Sequence, residues 1–331
     1  MNIENKKILT ISVAAYNLGE MIRTNLESFC QSKVIDDIEV IVTDDGSKDD
    51  TPKIVEEYVK KYPNSIKLIN QKNAGPGSTV NSGIRNATGK YFKMVDGDDW
   101  VETENLNILV EKLKSVDADM VITNYETYDD SIKKIIDSTN FSIKPDEEIE
   151  FEKICKNLHL DMHNVTYKTN ILKDNKIVLD NGFYTDMEYL LLPIPFINKV
   201  IYYQDNIYVY RIAREGQSIS LPSMQKNIAM HHLVLTRLMK YYEEKQEKLS
   251  KNTKEYIAIR LGRMADTELT TLLTFEMNKE QKNKIKAFFK EIKENSNHIY
   301  NEFKKGKKEK MLLYSNYNLC KIASKIIIRK F

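Results

Sequence analysis

Four times within the first hundred residues a β-rich run ends in a tight cluster of polar residues. "KILTISVAA" runs into "AAYN", "IEVIVTD" into "TDDGS", "IKLIN" into "NQKNAGPGS", and "YFKMV" into "DGDDW". Helical periodicity resumes near Leu18, Thr51, Gly77 and Thr103, and "DMVITNY" supplies a fifth strand. This alternation predicts an α/β fold with a mostly parallel, Rossmann-like sheet flanked by helices. In open sheets of this kind, ligands bind beyond the carboxyl ends of the strands. Asp and Asn cap helices and Gly makes turns in any protein. Four such clusters on one sheet edge are more than capping requires.

Beyond about residue 126 the pattern weakens into a polar, hairpin-like stretch and a short helix containing "HLDMHNVTYKTNIL". "NGFYTDMEYLLLPIPF" returns to helical spacing, and "KVIYYQDNIYVYR" reads as two strands with a turn at Asp205 and Asn206. From residue 225 to about 298 the chain reads as helical, with Leu235, Leu238, Tyr242, Ile259, Leu269 and Leu272 as apolar positions. The expected division is an α/β domain over 1–224 and a C-terminal all-helical extension over 225–331.

Charge narrows the function classes. Lys and Arg number 50 against 48 Asp and Glu, so a generally basic, nucleic-acid-binding body is excluded. The basic residues are unevenly placed, however. In residues 300–331 nine Lys or Arg stand against two Glu, a local net of +7. There "NLCKIASKIIIRKF" sets Leu319, Ile322, Ala323, Ile326 and Ile327 near one helical face, flanked by Lys321, Lys325 and Arg329. Such a helix either contacts an anionic membrane surface or packs on protein. The longest apolar run, "LLLPIPFI", is too short to cross a bilayer, and no apolar leader is read at the N-terminus. Cys30, Cys155 and Cys320 lack CxxC spacing, which argues against zinc or a disulfide framework. The expected location is cytoplasmic, with peripheral contact at the inner membrane face through residues 300–331.

"VDGDDW" places Asp96, Asp98 and Asp99 within four consecutive positions after a buried strand. Carboxylates that close repel and raise one another's pKa unless a cation stands among them. Hard oxygen ligands suit Mg2+ or Mn2+.

Taken together, "ISVAAYN", "IVTDDGSKDDT", "NAGPGSTVNSGIRNATGKYFKMVDGDDW" and "YTDMEYLL" resemble, in order and spacing, the family 2 glycosyltransferases of GT-A fold. The resemblance covers about residues 6–220. With "REGQSIS" it extends to a bacterial branch found among cell-surface polysaccharide enzymes. It implies a nucleotide-diphosphate sugar donor, a divalent metal, and inversion at the anomeric carbon. A UDP-sugar would stack its base on Tyr16 and donate its uracil N3 hydrogen to Asp44, with Asp45 the second choice. Ala14, Asn17, Asn73, Gly75, Ser78 and Gly97 complete the donor edge. Asp96 and Asp98 match the family's DxD motif, Asp98 on the metal and Asp96 on ribose or the metal's waters, while Asp99 caps or orients the next helix.

The resemblance also places Asp186 at the position of the general base, with Glu188 as the alternative. Thr185 stands where an acid is common. Val80 stands where many relatives carry an arginine, so Arg214 is expected to meet the diphosphate instead, with Gln217 and Ser218 as neutral donors. His163 is a candidate for acceptor or metal contact. The acceptor would be a glycan or a lipid-linked sugar. A sugar-phosphate nucleotidyltransferase would need a Gly-rich basic signature after the first strand, and "AAYNLGEM" has none. A haloacid-dehalogenase phosphatase carries its acidic motif after the first strand rather than the fourth. No GK[ST] marks a P-loop. A non-catalytic scaffold on a degenerate core is the alternative of a different class.

Overall fold

Leu9–Ala15 (β1) and Ile38–Asp44 (β2) are buried along almost their whole length, which is why they read as continuous apolar runs rather than alternating ones. The computed structural model describes residues 7–213 and 220–329. The chain divides into two compact units, Met1–Glu215 and Gly216–Phe331. The helix Leu221–Lys226, which straddles the expected boundary at 224, begins the second unit.

The first unit continues with α1 (Met21–Cys30), α2 (Thr51–Lys61), β3 (Ile66–Asn70), α3 (Pro76–Asn86), β4 (Tyr91–Asp96), β5 (Trp100–Val101) and α4 (Thr103–Ser115). Then come β6 (Met120–Asp129), β7 (Lys134–Ser138), β8 (Glu148–Glu150), α5 (Phe151–Ile154), β9 (Val165–Lys168), α6 (Thr169–Asp174), α7 (Thr185–Leu191) and β10 (Lys199–Ile212). All strands join one sheet of order β3-β2-β1-β4-β9-β6-β10-β5, with β7 on β6 and β8 on β10. The β3-β2-β1-β4 half is parallel throughout, as is β6 with β10. The remaining pairings are antiparallel.

Two segments depart from the sequence reading. "NVTYK", assigned to a short helix, holds β9, which runs antiparallel between β4 and β6 at the middle of the sheet. Four residues are too few to show a period of two, and Tyr167 is fully buried there. "KVIYYQDNIYVYR" is one strand rather than a hairpin. It stays parallel to β6 from Val200 to Ile212, with register shifts on either side of Asn206.

The loop 179–182 closes against α3. Asn81 ties it by donating from Nδ2 to the Leu179 carbonyl and accepting the Leu179 N–H on Oδ1, at 2.8 and 2.9 Å. Gly77 is required by this approach: a Cβ there would lie 1.6 Å from the Asp180 carbonyl oxygen.

The second unit comprises α8 (Leu221–Lys226), α9 (Ile228–Lys245), α10 (Lys251–Leu272), α11 (Lys279–Asn295), α12 (Asn297–Phe303), α13 (Lys307–Tyr314) and α14 (Cys320–Ile328). Ser250, Asn278 and Ser296 cap α10, α11 and α12 by accepting backbone N–H bonds. Phe288, Phe289 and Phe303 join α11 to α12 through ring contacts of 5.8 and 4.9 Å. Between α9 and α10, Glu268 is 3% exposed and meets His231 Nδ1 at 2.9 Å and His232 Nδ1 at 2.7 Å. The bond to Glu268 raises His232 to about 9. Burial pushes Glu268 upward, but the two histidines outweigh it and hold its carboxyl below the ordinary value.

Two outcomes follow from this packing. Gly77→Ala should lower unfolding stability by about 1–3 kcal/mol through overpacking, read as an earlier urea midpoint at unchanged slope; an unmoved midpoint would mean that the loop does not rest on α3. His232 binds its proton more tightly folded than unfolded, so its contribution is complete below about pH 6.5 and fades as pH rises through about 9. The helical melting temperature should therefore fall across that window, and His232→Gln should flatten the fall.

Candidate active site

Parallel register brings the polar strand ends level. Ala15 pairs with Asp44, Asp44 with Asn70, and Ala14 with Asp96, so the ends of β1, β2, β3 and β4 form one continuous edge. Tyr16 follows β1 and is 50% exposed. Asn17 turns the chain with a φ of 51° and zips the first polar turn to the second. Its N–H donates to Ser47 Oγ at 2.9 Å, and its Oδ1 accepts the Lys48 N–H at 2.8 Å.

The paired acids of "TDDGS" divide their labour. Asp44 Oδ2 accepts the Gly46 and Ser47 N–H groups at 3.1 and 3.0 Å, and its Oδ1 accepts the Ser47 hydroxyl. A carboxylate has about four acceptor positions, so these bonds leave room for one further donor. Asp45 reaches the other way. Its Oδ1 accepts from Gln71 Nε2 and the Ala74 N–H, and its Oδ2 accepts the Gly75 N–H at 2.8 Å. Asp45 thus shapes the "NAGPGS" turn, where Gly75 sits at a φ of 92° and Ser78 Oγ donates back to the Gly75 carbonyl. Asn73 stands exposed on that turn. Val80 is buried in α3 and brings no charge.

At the end of β4, one carboxylate oxygen from each of Asp96, Asp98 and Asp99 lies within 4.8 Å of the others. The turn is gripped from three sides. Asn25 of α1 donates to the Asp96 and Asp99 carbonyls at 3.1 and 2.8 Å, and the Gly97 N–H donates to the Ala14 carbonyl at 3.2 Å. A Cβ on Gly97 would stand 2.7 Å from that carbonyl oxygen. The Tyr208 hydroxyl of β10 donates to Asp99 Oδ2 and accepts the Asp96 N–H, while the Arg211 N–H donates to Asp99 Oδ1 at 2.8 Å. Burial, together with the charges of Asp98 and Asp96, holds the Asp99 carboxyl well above the usual range. Asp99 is therefore an internal strut between the β4 turn and β10, and it makes no cap on α4. Asp96 and Asp98 are half-buried and supply hard oxygens. The set fits Mg2+ or Mn2+.

Asp186 is the second residue of α7 and is exposed. Tyr189 of the same helix donates to the Phe92 carbonyl of β4 at 3.3 Å, and Tyr167 of β9 donates to the Leu190 carbonyl at 3.1 Å. These bonds hold α7 over the sheet. Glu188 points inward, is fully buried, and accepts the Asp180 N–H at 2.5 Å. It anchors the loop that packs on α3.

Tyr210 links the acids electrostatically. Burial raises its hydroxyl to about 12, and Asp99, Asp96, Asp98 and Asp186 all push it in the same direction. Its ring stacks on His163 with centroids 4.5 Å apart, and Tyr208 and Tyr125 close the other sides of that imidazole at 4.5 and 4.8 Å. Burial lowers His163 to about 3, so it is neutral, and it is not a member of the acidic cluster. Lys93, fully buried in β4, donates from Nζ to the His163 carbonyl at 2.7 Å, and burial lowers it to about 7. Tyr208, Tyr210 and Arg211 were not singled out from sequence; the signal available was alternation in "IYVYRI" at the end of a strand. Arg214, Gln217 and Ser218 lie outside the described residues.

The comparisons agree with this architecture. The model of the family described as glycosyl transferase family 2 matches residues 10–175. Glycosyltransferase GlyA of Streptococcus pneumoniae is 28% identical over 240 residues, 68% of this chain and 33% of that protein. Chondroitin synthase of Escherichia coli is 29% identical over 200 residues, 59% of this chain and 28% of that protein. The chain thus spans about a third of the length of these two relatives. Among solved structures, S. aureus TarS 1-349 in complex with UDP superimposes with a TM-score of 0.67 at 19% identity, covering 96% of this chain and 91% of that one. That likeness concerns the fold, a mixed α/β sheet of GT-A type with a helical C-terminal region. With the family model covering half of its length, the chain belongs to glycosyl transferase family 2.

Proposed function

We propose that the chain is an inverting, metal-dependent glycosyltransferase that moves a sugar from UDP to a hydroxyl of a glycan or lipid-linked acceptor in cell-surface polysaccharide synthesis. The observation that carries the reading is the cluster of Asp96, Asp98 and Asp99, one carboxylate oxygen from each within 4.8 Å of the others, on the sheet edge formed by the ends of β1 to β4. The UDP in the TarS complex and the polymer named in chondroitin synthase support the donor and the product class.

On this reading Tyr16 stacks on the uracil and the remaining acceptor position of Asp44 takes its N3 hydrogen. Asp98, assisted by Asp96, would hold a divalent cation, which supplies charge neutralisation for the departing diphosphate. Arg214, Gln217 and Ser218 complete the diphosphate contacts. Asp186 accepts the proton of the acceptor hydroxyl as its oxygen bonds to the anomeric carbon from the face opposite UDP. The bond from that carbon to the phosphate oxygen breaks, and its electron pair leaves with UDP. The start of α7 favours the ionised form of Asp186, so it is ready to accept a proton at neutral pH. Glu188, buried and bound to the Asp180 N–H, positions the base rather than acting as one. The charge on the donor and the acid cluster fits Mn2+ or Mg2+ equally.

Asp98→Asn should weaken metal-dependent UDP binding by calorimetry and abolish transfer together, and a chelator should do the same to the unmodified protein. Asp186→Asn should bind UDP and metal normally while transfer falls ~10²- to 10⁴-fold. Near-normal transfer by Asp186→Asn would assign the base to another group. Binding of a different nucleoside diphosphate well above UDP would overturn the roles of Tyr16 and Asp44.

A further inference from the structure

The second unit ends in a helix whose two faces do not follow the usual division into apolar inside and polar outside. Cys320, Ala323, Ser324 and Ile327 of α14 are buried. Ile322, Ile326 and Ile328 are 51%, 50% and 47% exposed. At about 100° per residue the exposed arc carries Lys321, Lys325 and Arg329 in one band, with Ile322 and Ile326 beside it and Ile328 on its other flank. The five apolar positions recognised in the sequence therefore serve two surfaces. Ala323 and Ile327 pack inward, and the exposed isoleucines have no such task.

The cations are equally unclaimed. Among the described residues no carboxylate forms an ion pair with Lys321, Lys325 or Arg329. Charge accumulates next to the start of the helix, where Lys282 donates to Asn318 Oδ1 at 2.8 Å and Lys286 stands 5.6 Å from the centre of the Tyr317 ring. Beside α14, an open groove is walled by Phe275, Met277 and Ile328 together with Lys321, Lys325 and Glu276. Tyr314, at the end of α13, is 89% exposed.

We propose that the outer face of α14 is a docking surface for an anionic phospholipid bilayer, with Ile322, Ile326 and Ile328 entering the headgroup boundary and Lys321, Lys325 and Arg329 meeting lipid phosphates. Apolar burial and cation–phosphate attraction act together on such a helix, and neither alone holds it firmly. A protein partner of ordinary surface would leave one of the two bands unused: the isoleucines fit an apolar partner, the adjoining cations an acidic one. A bilayer of acidic lipids offers both at the spacing of a single helix. Among the described residues no helix is long and apolar enough to cross a membrane, so the contact is one of the surface. The proposal is independent of the donor and of the base.

Flotation of the full chain with vesicles of phosphatidylcholine, alone or mixed with phosphatidylglycerol, tests it. The protein should rise with the mixed vesicles only and be released by high salt. Lys321→Gln with Lys325→Gln should reduce recovery on the order of twentyfold, given about fivefold per cation near the surface. Ile322→Ser with Ile326→Ser should reduce it comparably, and both pairs should leave the unfolding midpoint unchanged because the buried face is untouched. Absence of flotation, equal recovery on both vesicles, or recovery unaffected by either pair would overturn the proposal. Concentration-dependent self-association abolished by the isoleucine pair, without flotation, would assign the face to a second copy of the chain and overturn it as well.

Discussion

Repulsion among Asp96, Asp98 and Asp99 is the interaction around which the first unit is organised. Three carboxylate oxygens within 4.8 Å are costly. Elements distant in sequence hold the turn that carries them: Asn25 from α1, Ala14 from β1, and Tyr208 and Arg211 from β10. The arrangement also sorts the acids by task. Asp99 spends both oxygens on β10, while Asp96 and Asp98 stay half-buried. The strut and its two neighbours differ only in what lies behind them.

A second dependence joins the two sides of the site. The turn over 73–78 is shaped by Asp45, while the helix bearing Asp186 is tied through Glu188 to the loop 179–182, which Asn81 fastens to α3. The turn and the helix that bears Asp186 are therefore joined through α3 and the loop 179–182, with Gly77 permitting the approach. This is why Glu188, an acid near the expected base, belongs to the scaffold: full burial with a bond to a backbone N–H suits a structural anchor better than a group that must reach a substrate.

Much of the donor edge was legible because local rules sufficed. Strands β2 and β3 begin and end where their apolar runs do, and α2 begins at Thr51. A strand end followed by Gly, Asp or Asn tells where the chain turns whatever surrounds it. What escaped was long-range. β9 is four residues long and acquires its extended form from β4 and β6, which flank it. β10 crosses "YQDN" without turning because β6 runs alongside it. The cage of Tyr125, Tyr208 and Tyr210 around His163 comes from two strands distant in sequence, so no local pattern announced it.

By itself the sequence determined which residue types meet at the ends of β1 to β4, since the period of two and the turn residues are properties of short segments. It likewise determined that the C-terminal helix is amphipathic and basic. Tertiary structure alone decided which carboxylate became a strut, which acid was buried, and which isoleucines of α14 were left outside. Those outcomes depend on distance between groups far apart in the chain, and both burial and electrostatic energy are set by that distance rather than by order along the backbone.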